Sequence, residues 1–317
     1  MFGTRRFCGV EYGGIESDSE VIVVGEMGKK IIYSAVIDSD EAKRAQAAAD
    51  ASANLNADQI DIDSMKITQQ YDKYTDENHE VWGIIFKKRM EQLAEFGSNI
   101  FLNGAKVINL RADRVPPLKD VNRRLQECTG WSSHGVPGYL PAKSFFAFLA
   151  QRQFPTTVTV RPKAQMDYLP EPDIIHDVFG HVPLHADPVF AEFLQTYGKA
   201  ALYTHNPDHT ERLARLFWFT VEFGLIHEDN KLKLYGSGLI SSEGEGHHAL
   251  ESKEVDRRPF ELERVCNTAF EIDHYQPILY VLESFEQLRD AMVTYAERVL
   301  DEAGRLDELE SLTKSAR

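Results

Sequence analysis

Residues 168–190 read YLPEPDIIHDVFGHVPLHADPVF, and the rest of the chain is organised around this stretch. It carries His176 and His181, with Asp177 between them and Gly180 immediately before the second histidine. Neutral imidazole is the commonest metal ligand among side chains. Histidines at i and i+4 would share one face of a helix, as in zinc proteases. Here the separation is five, which on a regular α-helix turns the second ring roughly 140° from the first. Both rings meet at one ion only if the helix ends or loosens between them. Gly180 and Pro183 supply such a break, so the stretch predicts a helix-to-loop metal site.

A third ligand is expected downstream, in residues 211–226, ERLARLFWFTVEFGLI. This segment reads as a helix that is apolar over most of its surface. Glu222 has Trp218, Phe219, Leu225 and Ile226 three and four residues away, which predicts a buried carboxylate. A buried charge without a partner is costly, and a cation resolves it. Two histidines and one carboxylate form the facial triad typical of non-haem iron(II) oxygenases, with open positions for chemistry. The alternative is that both histidines are ordinary partly buried residues and that Glu222 pairs with Arg212 or Arg215.

The segments PDIIHDVFGHVPL, WFTVEFGL and YGSGLISSEGE, in that order, closely resemble the aromatic amino acid hydroxylases that use tetrahydropterin and iron. The resemblance extends upstream through QYDKYTDENHEVWGIIFKKR and CTGWSSHGVPGYL and downstream through YQPILYVLESFEQL. It covers about residues 70–296 and implies a mainly α (α+β) catalytic fold, a basket of helices around one iron with small β elements. It also implies monooxygenase chemistry on a free aromatic amino acid, with Fe(II), a tetrahydropterin and dioxygen as co-substrate.

Carried over residue by residue, the resemblance assigns the iron to His176, His181 and Glu222. It places Asp177 where relatives carry Glu, beside the pterin or an iron-bound water. The pterin is expected at the backbone of Gly138, Tyr139 and Leu140, with Phe145 stacked on its ring. Unaided, Phe145 reads as a core residue. Arg161 matches the family's arginine for the substrate carboxylate, a pairing suited to its planar fork. Taken alone, Arg161 reads as a solvated surface residue. Pro172, Trp218 and Phe223 are expected to line the ring pocket, with Ser241 orienting the substrate or its neighbours. Two departures stand out: Ala142 where relatives often have Ser, and Phe217 where animal members have Tyr. Trp218, and Ile272 where tyrosine enzymes tend to carry Asp, favour phenylalanine over tyrosine or tryptophan.

The composition is consistent with this. A chain of 317 residues with 43% hydrophobic residues can bury a large core. A formal charge of −15 argues against nucleic acid and anionic membrane surfaces. The three cysteines, Cys8, Cys128 and Cys266, are widely separated and suggest neither a disulfide framework nor a metal spacing, which fits a reducing cytoplasm. No apolar run approaches membrane-spanning length, and no signal peptide is read.

Along the chain, residues 1–66 are expected to form an extension with a β-hairpin at 21–37. Residues 41–58 read as an exposed helix or linker. This part is either a separate module or a decorated edge of the main domain. The catalytic domain is expected at 67–300 and a charged helical tail at 301–317. Helices are predicted at 75–96, 118–128, 141–151, 186–197 (stopped by Gly198), 211–226 and 285–312. Residues 130–138 are expected as loop, and 156–160, 232–235 and 239–240 as extended. The short, charged C-terminus favours a monomer. Two other readings are a zinc hydrolase, for which the histidine spacing is wrong, and an amino-acid sensor that has lost catalysis.

Overall fold

The structure, a computed structural model, describes residues 21–24, 30–33, 36–53, 55–166, 172–204, 206–270, 272 and 274–309. Strands β1 (Val21–Val24) and β2 (Lys30–Tyr33) pair antiparallel, with Val21 opposite Tyr33. Helix α1 (Ser39–Ser52) follows, opened by Asp38, whose carboxylate accepts from the N–H groups of Asp40 and Glu41 at 3.0 and 2.8 Å. The ambiguous stretch at 41–58 is therefore α-helical as far as Ser52. Its inward face is Ala42, Ala45 and Ala49, too small to form an apolar stripe in sequence yet fully buried. Ala49, Ile60, Ile62 and Met65 share a core cluster with Val136, Ala147 and Phe148, so no packing break falls at residue 66.

The helical body comprises α2 (Asp76–Phe96), α3 (Asn99–Val107), α4 (Leu118–Thr129), α5 (Ala142–Ala150), α6 (Pro188–Tyr203) and α7 (Pro207–Phe217). Helix α2 begins with a capping box in which Thr75 Oγ1 accepts from the Asn78 N–H and Asn78 Oδ1 accepts from the Thr75 N–H. Parallel strands β3 (Ser132–Gly135) and β4 (Gln153–Thr156) bracket α5, the helix expected at 141–151, in a βαβ unit whose first strand lies in the 130–138 stretch expected as loop. Strand β4 precedes the extended run expected at 156–160 because its register pairs Gln153 with Ser132.

Helix α6 packs against both α5 and the long helix Phe285–Glu302, and buries Phe190, Phe193 and Tyr197. It passes through Gly198, where a stop was expected. A Cβ at Gly198 would lie 2.6 Å from both Ala150 N and Leu149 Cβ, so the glycine marks the close approach of α5 rather than a helix end.

The C-terminal third adds β5 (Leu225–Glu228), β6 (Lys231–Leu234), α8 (Ser237–Ser241), α9 (Glu243–Glu251), β7 (Asp256–Pro259), α10 (Leu262–Asn267), β8 (Ile278–Leu282) and α11 (Phe285–Glu302). The strands form one sheet in the order β6-β5-β8-β7. Leu225 and Ile226 thus leave the expected helix for a strand, held by β6 on one side and by Val281 and Leu282 of β8 on the other. Asp229 and Asn230, with φ of 51° and 60°, make the left-handed two-residue turn of the β5–β6 hairpin. Leu239 and Ile240, expected as extended, lie in α8, and α11 ends at Glu302 rather than near 312. No helix among the described residues is long and apolar enough to cross a membrane.

Candidate metal centre

The two histidines lie on a single wide turn. Residues Ile175–His181 form a π-helix that runs through Gly180, and a 3₁₀ turn follows from Val182. An i→i+5 hydrogen-bond pattern brings residues five apart onto one face, so the spacing that an α-helix cannot use suits this turn. The loosening expected between the histidines is real, but it is a widening of the helix and not a break at Gly180. The glycine instead lets α8 approach: a Cβ there would lie 3.1 Å from Ser237 O. The His176 and His181 rings stand edge to face with Nε2 atoms 3.3 Å apart.

Glu222 arrives from a second π segment, Trp218–Glu222, closed by the Phe223 N–H donating to Trp218 O at 2.9 Å. Its Oε1 lies 3.3 Å from His181 Nε2 and its Oε2 3.6 Å from His176 Nε2. The ligand atoms of these three residues all lie within 4.8 Å of one another. Neither Arg212 nor Arg215 neutralises Glu222. Arg212 pairs with Glu263 at 2.7 Å, and Arg215 pairs with Glu211 and donates to Cys266 O.

The surrounding hydrogen bonds prepare these atoms as donors to a cation. Ser237 Oγ donates to Glu222 Oε2 at 2.7 Å. Ser241 Oγ donates to Ser237 O at 2.7 Å and lies 3.1 Å from His176 Nδ1, which must therefore be the protonated nitrogen. That tautomer turns the His176 Nε2 lone pair to the centre. Burial pushes His176 towards its neutral form. Burial also opposes ionisation of Glu222, but the two imidazoles and the Ser237 hydroxyl outweigh it and hold the carboxyl down at about 2. Converging nitrogen and carboxylate lone pairs repel unless a cation joins them, so the residues present fit a 2-His-1-carboxylate metal site.

The other expected residues divide. Phe145 is half-buried, with its ring 5.5 Å from that of Phe217, which in turn lies 6.5 Å from the His181 ring. Phe154, which sequence reasoning passed over, packs closer to His181, at 4.8 Å. Asp177 Oδ2 accepts from the backbone N–H and hydroxyl of Thr157 at 2.6 and 2.7 Å, so its observed partner lies just after β4. Gly138, Tyr139 and Leu140 form the approach to α5, and Gln46 of α1 donates to Tyr139 O at 3.1 Å.

Arg161 is buried rather than solvated. Its Nε and Nη2 fork onto Asp173 at 2.8 and 2.9 Å, and Nη1 donates to Met166 O at 3.3 Å. Those bonds use three of roughly five guanidinium hydrogens, which leaves one on each terminal nitrogen. Asp173 Oδ1 also accepts from the His176 N–H at 3.1 Å, linking Arg161 to the histidine turn. Trp218 and Phe223 are buried side by side with rings 4.7 Å apart, and Pro172 is half-buried just before Asp173. Ser241 touches His176 directly. Ile272 sits on a bend and is 38% exposed.

A family model described as biopterin-dependent aromatic amino acid hydroxylase matches residues 41–305. The chain belongs to this family. Two relatives named phenylalanine-4-hydroxylase illustrate the closeness of the hydroxylase match. That of Chromobacterium violaceum is 40% identical over 231 residues, 73% of this chain and 78% of the relative. That of Mesorhizobium japonicum is 42% identical over 229 residues, 72% of this chain and 82% of the relative. A crystal structure of the C. violaceum enzyme with bound iron(III) and 7,8-dihydrobiopterin matches at a TM-score of 0.71 and 39% identity, over 75% of this chain and 87% of that one. The hydroxylase match begins at residue 41, earlier than the quoted motifs reach, and so takes in α1.

Proposed function

We propose that this hydroxylase converts free phenylalanine to tyrosine, with dioxygen, a tetrahydropterin and one ferrous ion held by His176, His181 and Glu222. The observation that carries the proposal is the convergence of those three side chains within 4.8 Å, on two separate π turns, in a member of this family. Names of the relatives support phenylalanine as substrate. When bound, the iron and the reduced pterin supply the activation of dioxygen.

The chain's own residues do the rest. Ser241 and Ser237 fix His176 and Glu222 as donors. Phe145, Phe154 and Phe217 form an aromatic wall beside His181, which excludes water and offers Phe145 as the surface for the pterin ring. Gly138, Tyr139 and Leu140 present backbone groups to the edge of the pterin. Thr157 holds Asp177 in place near the cofactor by donating twice to its Oδ2, while burial pushes that carboxyl up. Arg161, aligned by Asp173, takes the substrate carboxylate with its two uncommitted hydrogens. Pro172, Trp218 and Phe223 hold the ring, and an apolar Ile272 offers no partner to a tyrosine hydroxyl. We read the chain as a cytoplasmic monomer, which size-exclusion chromatography with light scattering tests.

Product analysis with phenylalanine, tyrosine and tryptophan, each with ferrous iron and tetrahydropterin, tests the substrate. A tyrosine product with phenylalanine as the best substrate is expected. Faster hydroxylation of tryptophan or tyrosine would refute the substrate assignment.

A further inference from the structure

Gln276 has no place in the site described above. It is 2% exposed, and its amide oxygen accepts from Trp218 Nε1 at 2.8 Å. Its amide nitrogen donates to His274 O at 3.0 Å, so both ends of the side chain are committed. The Trp218 indole is stacked on Phe270, with centroids 4.5 Å apart and planes at 15°, and tilted against Phe223. Ring contacts of this kind restrain tilt but resist in-plane rotation weakly. The single polar handle on the indole is its N–H, and Gln276 holds it. Gln276 comes from the segment that also carries Ile272 and Tyr275, both exposed, so one hydrogen bond couples that segment to the indole.

We infer that Gln276 is a positioning residue for amino-acid specificity: by pinning the edge of Trp218 it fixes the width of the ring pocket. The inference rests on the reading of Trp218 as a wall of that pocket. An apolar replacement of the same length leaves a buried indole N–H without an acceptor. Such a group turns towards another acceptor or water when it can. The turn moves the whole indole and changes which rings fit.

The test compares Gln276→Met, Trp218→Phe and the double variant. In Gln276→Met the ratio of kcat/KM for phenylalanine over tryptophan should fall about 5- to 10-fold, with iron content unchanged. Gln276→Glu, whose buried neutral carboxyl keeps both an acceptor and a donor, should restore the ratio. Added to Trp218→Phe, Gln276→Met should change the ratio no further, because the coupling runs through the indole N–H. Independently of turnover, the Trp218 indole N–H should be protected from solvent exchange in the ¹⁵N spectrum of the wild type and lose that protection in Gln276→Met. A ratio unchanged in Gln276→Met but altered in Trp218→Phe would overturn the positioning role. An effect of the same size in the Trp218→Phe background would also overturn it. No effect of Trp218→Phe on the ratio would instead overturn the pocket reading beneath it.

Discussion

Ser241 Oγ lies 3.1 Å from His176 Nδ1 and donates its own hydrogen to Ser237 O, so the serine accepts from the imidazole and sets its tautomer. Ser237 in turn donates to Glu222, so one turn of α8 orients both a histidine and the carboxylate. Outer partners of this kind typically contribute about 10- to 100-fold to metal affinity. Ser241→Ala should therefore weaken ferrous binding by about one to two orders of magnitude, without unfolding the protein. Competition with a chelator measures it, and an unchanged affinity would remove Ser241 from the centre.

Arg161 is fixed by Asp173 before any substrate arrives. Removing the whole side chain would strand a buried carboxylate that also caps the histidine turn, and would mix folding with binding. Arg161→Lys is the cleaner probe, because an ammonium keeps the charge but not the fork. The KM for phenylalanine should rise about 10- to 100-fold, with little change in iron content. An unaltered KM would show that Arg161 only supports the turn.

Burial raises the carboxyl of Glu245 from 4.5 to about 7. Between those values the folded protein binds a proton that the unfolded chain has released, so stability falls as pH rises through the window and levels off above it. Glu245→Gln should abolish this contribution. Urea unfolding from pH 4 to 8 should show variant and wild type converging at the acid end, with the variant more stable by about 3 kcal/mol at pH 8. Parallel curves would contradict the shift.

The three converging side chains were legible in sequence because their chemistry is conspicuous. Two histidines beside glycine and proline, and a glutamate in an apolar run, leave few uses for such side chains. How they meet was not legible. Sequence periodicity is read against the α-helix, and neither π turn leaves a mark in it, so a widened helix looked like a broken one. Gly198 misled for a related reason: a glycine that admits a neighbouring helix is identical in sequence to one that ends its own. The partners Ser237, Asp173 and Thr157 are small polar residues whose roles depend on contacts across the fold, although Asp173, three residues before His176, has the placing of a helix cap. Residues 41–58 read equally as helix or linker because alanines bury little area each and form no stripe, so the buried face of α1 was not legible. Strand β5 was hidden because Leu225 and Ile226 continue an apolar run that a helix and a buried strand share.

The most direct test of the central claim is the iron content of the purified protein after anaerobic loading with ferrous ion and removal of excess, in wild type and in His181→Ala. About one iron per wild-type chain and almost none in the variant is expected, with tyrosine formation lost in parallel. Full iron occupancy in His181→Ala, or a wild-type chain that binds no iron, would contradict it.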